Sequence, residues 1–214
     1  MDMLRIALPA GDLKEPTLKF FEKAGLTEGE GIKDPRIEKI EFLRAAEIPC
    51  YLGYGKFDLG IVGADLIEEQ RVEVEKICEL LYASRTRGKV KVVLAIPQSS
   101  EINDSKRIKP GSLIATRFPN LTERYFAQLG IPVHICPAYP PDTEKRVSGG
   151  LADACVEVTE TGGAIRREGL KIIDTILEST TLLIANKDSY RDSKKRKAIE
   201  EIGAFLQGAL AETQ

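Results

Sequence analysis

Apolar residues recur along this chain at two different spacings. Leu4 to Leu8 is a short apolar run of strand length, and Glu15 to Ala24 follows it with Leu18, Phe21 and Ala24 at steps of three, the rhythm of an amphipathic helix. The same succession repeats. Further strands are expected at Phe57 to Val62, Val90 to Ile96, Leu113 to Thr116, Val133 to Cys136, Ala154 to Val158 and Thr181 to Asn186. Further helices are expected at Ala64 to Gln70, Leu121 to Leu129, Thr143 to Gly149 and Arg191 to Leu210. Strands and helices in alternation indicate an α/β fold, and strands that are nearly all apolar suit a sheet covered on both faces. The stretch from Ser99 to Gly111, with its Ser, Asn, Asp, Lys and Pro, reads as a polar connector. A strand stopping at a polar turn before a helix occurs around Gly63-Ala64-Asp65 and again around Thr159 to Gly163, as two similar α/β lobes facing a cleft would show.

Composition narrows the classes of function. At 43% hydrophobic, 214 residues can bury one large core or two small ones. Thirty-one basic residues against 33 acidic ones leave a net charge of -2, so no global positive field draws the chain onto nucleic acid or anionic lipid. The longest apolar runs, Val92 to Pro97 and Thr181 to Ala185, fall far short of the roughly 20 residues that span a bilayer. Residues 1 to 20 mix Arg5, Asp12 and Lys14 into their apolar positions, unlike a secretory signal, and the expected compartment is the cytoplasm. Cys50, Cys78, Cys136 and Cys155 lie far apart and are expected to be buried, reduced thiols. The single histidine, His134, sits in an apolar alternation and is expected on a strand. Arg191, Lys194, Lys195, Arg196 and Lys197 read as a solvated basic turn at the start of a docked final helix.

Three segments carry candidate chemistry. Glu157 to Ile165 takes an apolar strand into a run of hydroxyl, acid and glycine residues, with a helix resuming at Ile165. Gly162 and Gly163 can turn backbone N–H groups toward one point, Thr159 and Thr161 can donate through hydroxyls, and the helix start adds a favourable dipole, which together make a phosphate cradle. Acids beside a phosphate repel it, so Glu157 and Glu160 make sense facing ribose hydroxyls or a magnesium ion. A plain strand-to-helix turn is the alternative. Gly60 to Asp65 ends another apolar strand at a glycine turn, where Asp65 either caps the next helix or lines a site. In Ser112 to Arg124 a strand ends at Thr116, a proline turn follows, and Asn120 stands before a helix. Arg117 emerges at that strand end, where α/β sheets place ligands, and suits a phosphate, a carboxylate or a surface ion pair.

Five blocks in order give the chain a resemblance. Arg5-Ile-Ala-Leu-Pro-Ala-Gly-Asp-Leu13, Arg44-Ala-Ala-Glu-Ile-Pro49 and Asp58-Leu-Gly-Ile-Val-Gly-Ala-Asp65 are followed by Ile114-Ala-Thr-Arg-Phe-Pro-Asn-Leu-Thr-Glu-Arg-Tyr-Phe126 and Gly150-Leu-Ala-Asp-Ala-Cys-Val-Glu-Val-Thr-Glu-Thr-Gly162. In that order they resemble the catalytic subunit of the short form of ATP phosphoribosyltransferase, the enzyme that opens histidine biosynthesis. The resemblance implies two lobes like those of type II periplasmic binding proteins, with residues 1–88 and 182–214 in one lobe and 89–181 in the other. It implies attack of N1 of the adenine of ATP on phosphoribosyl pyrophosphate (PRPP), with magnesium and release of pyrophosphate. It assigns the 5-phosphate of PRPP to Thr159, Glu160, Thr161, Gly162, Gly163 and Ala164, and the ribose hydroxyls or the metal to Glu157. Gly11, Arg44, Asp65, Arg117 and Glu144 would contact the substrates. A dimer joined by a regulatory subunit resembling a histidyl-tRNA synthetase is also implied. The chain departs from the family pattern at Ala10 and Asp12, at Pro141-Asp-Thr-Glu144, at Glu157 and at Ala164. Those departures leave open a non-catalytic or regulatory relative that binds a nucleotide or phosphosugar, or a transferase using another acceptor.

Overall fold

Strands that are apolar on both faces need cover on both, and the computed structural model provides it separately in two α/β units. It describes residues 3–28, 31–81, 89–138 and 143–211. One unit comprises Met1–Gly88 with Thr180–Gln214, the other Lys89–Ser179. The return to the first unit comes at Thr180, two residues before the expected 182, because Thr181 already pairs with Gly63.

The first unit runs through β1 (Leu4–Pro9), α1 (Lys14–Lys23), the short pair β2 (Thr27–Glu28) and β3 (Gly31–Ile32), β4 (Ile37–Leu43), α2 (Ile48–Gly53), β5 (Leu59–Gly63), α3 (Ala64–Gln70) and β6 (Glu75–Glu79). The second contains β7 (Val90–Pro97), β8 (Leu113–Thr116), α4 (Pro119–Leu129), β9 (His134–Pro137), α5 (Lys145–Ser148), β10 (Ala154–Thr159), α6 (Gly163–Arg167) and β11 (Leu170–Ser179). The chain then adds β12 (Thr181–Ala185), α7 (Lys187–Arg191) and α8 (Ser193–Ala211) to the first unit.

The two sheets are built alike. In the first, the order is β4-β1-β5-β12-β6, with β4, β1 and β5 parallel and β12 antiparallel to both its neighbours. In the second, read from the other edge, the order is β9-β8-β10-β7-β11, with β9, β8 and β10 parallel and β7 antiparallel to both its neighbours. The turn from β5 into α3 and the turn from β10 into α6 therefore occupy equivalent places, each at the carboxyl end of the third parallel strand.

Burial follows the apolar pattern. Leu4, Ile6 and Leu8 of β1 and Leu59 and Ile61 of β5 pack with Phe20 and Phe21 of α1 and with Ile199, Ile202 and Leu206 of α8. In the second unit Val93, Ala95, Ala115 and Cys155 from three strands pack with Val147 of α5 and Ile165 of α6. Helix α4 starts with proline at its first position, where a missing N–H costs no hydrogen bond, and ends at Gly130 in the left-handed conformation (φ 70°).

The last helical stretch differs from expectation. It breaks at Asp192, whose backbone is extended and whose carboxylate accepts from the N–H groups of Lys194 and Lys195, so α8 begins at Ser193. Its basic turn is not wholly solvated either, because Lys195 Nζ reaches the buried Asp58 carboxylate at 2.9 Å. The expected helix over Thr143 to Gly149 is one turn, Lys145–Ser148, and Glu144 stands at its N-cap. Among the described residues no helix is long and apolar enough to cross a membrane. Of the four thiols only Cys155 is buried; Cys78 is half-buried, and Cys50 and Cys136 are exposed.

Candidate active site

In open α/β sheets the carboxyl ends of parallel strands are where loops can converge on a ligand. In the second unit these ends gather Arg117, Glu144 and Glu157. Glu157 lies on β10 opposite Val93 of β7, a central position that makes it buried. Its carboxylate accepts from the Val158 N–H at 2.8 Å and faces Arg117 Nη1 at 3.8 Å. Burial pushes the Glu157 carboxyl up from its ordinary value, against the opposing pull of the Thr143 hydroxyl, Arg117 and the Val158 N–H; Glu144 nearby pushes it further up. The Arg117 cation can meet an anionic leaving group, and the Glu157 and Glu144 carboxylates can accept from sugar hydroxyls.

Arg117 is held from below. Its guanidinium lies over the ring of Phe118, 5.3 Å from the centroid, and that ring is fully buried. Sequence reasoning placed Arg117 and Glu157 separately. Their juxtaposition follows from the pairing of β8 beside β10, with Thr116 opposite Val156. Thr143, fully buried beside Glu157, was not anticipated as a site residue, and nothing in its local sequence marks it. Pro141 and Asp142 of the same divergent segment lie outside the described residues.

The strand-to-helix turn after β10 is tight and closed by its own hydrogen bonds. Gly162 is in the left-handed conformation (φ 72°), and its N–H donates to the Thr159 hydroxyl at 2.8 Å. Arg166 Nη2 donates to the Thr161 carbonyl at 2.8 Å, fastening the turn to its own helix. A Cβ at position 162 would come within 2.8 Å of Arg166 Nη1, the end of a flexible side chain that can swing aside, so it is the left-handed φ that favours glycine there. Thr159 thus shapes the turn, Thr161 is exposed, and Gly163 and Ala164 are the first two residues of α6, two positions before the expected start at Ile165.

In the first unit the equivalent strand ends carry the other expected residues. Gly11, also left-handed (φ 72°), opens the turn between β1 and α1, with Asp12 beside it. Arg44 follows β4 and is exposed, and its N–H donates to the Glu47 carboxylate at 3.1 Å. Asp65 does not cap α3: Gly63 stands at the N-cap, and Asp65 is the buried second residue of the helix, where the N-terminal dipole favours an anion. His134 begins β9 opposite Leu113, at the amino end of its sheet and away from Glu157. Among the described residues no group of three or more His, Cys, Asp or Glu side chains is placed to hold a metal ion. Glu157 offers one carboxylate, already facing Arg117.

The family model for ATP phosphoribosyltransferase matches residues 44–208. An ATP phosphoribosyltransferase of Chlorobium phaeobacteroides is 40% identical over 98% of this chain and 72% of its own length. The chain belongs to the ATP phosphoribosyltransferase family. Among solved structures, a chain of the ATP phosphoribosyl transferase (HisG:HisZ) complex from Thermotoga maritima superposes with a TM-score of 0.83 at 28% identity, over 98% of this chain and 100% of that one. An ancestral amino-acid-binding protein shares the fold with a TM-score of 0.66 at 14% identity, over 99% of this chain and 91% of that one. The two-unit α/β fold of the phosphoribosyltransferase family is thus that of the type II periplasmic binding proteins, as the resemblance implied.

Proposed function

We propose that this chain transfers the phosphoribosyl group of PRPP to N1 of the adenine of ATP, the first step of histidine biosynthesis. The observation that carries the assignment of roles is that Arg117 and Glu157 face each other from the adjacent strands β8 and β10, with Glu144 at the N-cap of α5 near Glu157 and the Thr159 to Ala164 turn following β10, in a chain of this family. In the transfer, N1 forms a bond to C1 of the donor ribose as the bond from C1 to the pyrophosphate oxygen breaks, and the electron pair leaves with pyrophosphate. No covalent nucleophile is required, so orientation and charge compensation supply the acceleration. Thr161, Gly163 and Ala164 hold the 5-phosphate on the turn that Thr159 and the left-handed Gly162 shape, with Glu160 between the two threonines of that turn. Glu157 accepts from the ribose hydroxyls, with Glu144 beside it, and Arg117 leaves Glu157 to meet the pyrophosphate. Gly11, Arg44 and Asp65 serve the nucleotide.

Magnesium in this reading arrives on the substrate phosphates, neutralising the leaving pyrophosphate, with at most one protein carboxylate, Glu157, in its shell. A regulatory partner is supported by the neighbour from Thermotoga maritima, which is itself part of a two-component complex and whose chain this one covers completely.

The test is formation of phosphoribosyl-ATP, followed by ultraviolet absorbance, from purified chain, ATP, PRPP and magnesium, with pyrophosphatase to draw the reaction forward. Product is expected, and its yield should rise when a synthetase-like regulatory subunit is supplied. No product with that subunit present and donor binding verified would move the assignment to a non-catalytic binder of the same donor. Turnover of PRPP with another base but not ATP would change the acceptor instead.

A further inference from the structure

A threonine at the end of β8 and another in α4 make hydrogen bonds that the site as described does not use. Both side chains are fully buried. Thr116 Oγ1 donates to the Val156 carbonyl at 2.9 Å and accepts from the Phe118 N–H at 2.9 Å. Thr122 Oγ1 donates to the Phe118 carbonyl at 2.7 Å and lies 3.2 Å from Thr116 Oγ1. The backbone on the C-terminal side of Arg117 is therefore clamped at both its N–H and its carbonyl. One clamp continues across to Val156, the residue immediately before Glu157.

We propose that Thr116 and Thr122 are positioning residues for the donor site: a buried hydroxyl relay that fixes where Arg117 emerges relative to Glu157. The proposal rests on the reading above, in which Arg117 meets the pyrophosphate of PRPP. The physical reason is geometric. Arg117 has a long, flexible side chain, about a third of it exposed, and its reach is determined by where its Cα is held. The apolar contact of Phe118 resists outward movement of the loop but sets no direction for its peptide groups. Hydrogen bonds do set direction, because they weaken steeply with angle. Local hydroxyl bonds to the peptide two or four residues away are common in turns and helices. Here, however, the Thr116 hydroxyl also bonds across strands to the Val156 carbonyl of β10, so the strand end that carries Arg117 is registered against the strand that carries Glu157.

The experiment is calorimetric binding of PRPP with magnesium to the full chain, paired with thermal denaturation of each variant. Thr116→Val and Thr122→Val keep the branched shape and remove the hydroxyl. Each is expected to weaken donor binding by about tenfold or somewhat less, the effect of one buried hydrogen bond. Thr116→Ser should restore it. In an Arg117→Ala background, Thr116→Val should weaken binding no further, since its effect passes through Arg117. A merely structural role would lower the melting temperature while leaving the Kd of the folded protein unchanged, and that result in both valine variants would overturn the inference if Arg117→Ala itself weakens binding. Additive losses in the double variant would also overturn it. Unchanged donor affinity in Arg117→Ala would instead remove Arg117 from the donor site, and the positioning role with it. If Thr116→Val does not fold, Thr122→Val decides alone, because it leaves the Phe118 N–H paired with Thr116.

Discussion

Replacing Asp58 by asparagine should destabilise the first unit by about 2 to 3 kcal/mol at neutral pH. The Asp58 side chain is fully buried just before β5. It accepts from the Arg5 N–H at 2.9 Å, Arg5 Nε at 3.2 Å, the Ser189 hydroxyl at 2.7 Å and Lys195 Nζ at 2.9 Å. These donors come from β1, α7 and α8, so a single carboxylate fastens the returning C-terminal segment to the sheet. Burial alone would push this carboxyl up; the bonds from Arg5, Lys195 and Ser189 outweigh it and bring it from 3.8 down to about 2. With each tenfold change in proton affinity worth about 1.4 kcal/mol, the ionised form is favoured by about 2 kcal/mol in the folded state. Because the folded value is depressed, this stabilisation is present above pH 3.8 and is lost as pH falls through about 2. Asparagine also turns a donor toward Lys195 and Arg5; their side chains keep 25% and 36% exposure, which lets water recover part of the loss and keeps the cost below that of a sealed ion pair. The measurement is urea unfolding followed by far-ultraviolet circular dichroism, since the chain has no tryptophan, with hydrogen exchange at β5 to assign the transition. The midpoint should fall by about 1 M with little change in slope, and the gap to the parent chain should narrow toward pH 3. A loss under about 0.5 kcal/mol at pH 7 would refute the reasoning, and with it the view that Asp58 frames the strand whose far end carries Asp65.

Other outcomes follow from the same chemistry. Glu157 has a raised carboxyl, so its ionised form costs stability above the ordinary glutamate range; Glu157→Gln should melt no lower than the parent at pH 7 while binding PRPP less tightly by about 1 to 3 kcal/mol, and a lower melting point with intact binding would make Glu157 structural. Gly162→Ala should cost about 1 kcal/mol or more in stability from its φ, as urea titration would show; an unchanged midpoint would contradict the left-handed turn. Burial, with Glu157 and Glu144 adding to it, pushes the Cys155 thiol up to about 12, so a thiol reagent at pH 8 should label Cys50 and Cys136 quickly and Cys155 only on unfolding; rapid labelling of Cys155 in folded protein would contradict its burial. Ala10→Lys with Asp12→Arg should tighten ATP binding by calorimetry if the turn after β1 serves the triphosphate; an unchanged Kd would take that turn out of the nucleotide site.

How much of this could be read from the sequence depends on what each feature needs. The central strands were legible because a strand covered on both faces must be apolar along its length, as Ile6, Ile61, Leu94, Val156 and Leu183 are. The three long strands not anticipated, β4, β6 and β11, are all edge strands. They mix charge with apolar residues, as in Glu38, Lys39 and Glu41 of β4, because an edge needs only a backbone partner on one side. The glycine of the turn before α6 was visible as Gly162, and its neighbourhood by resemblance to a family, since a backbone turn is specified locally. What only the tertiary structure decided was company. Nothing near position 117 says that its guanidinium faces Glu157, nothing near 195 says that its amine is drawn onto Asp58, and no local pattern marks Thr116, Thr122 or Thr143. Those relations cross between strands and helices far apart in sequence. Periodicity reports which face of an element is buried; which polar groups then meet is decided by sheet order and register, where the need to satisfy each buried charge and hydroxyl selects the partner.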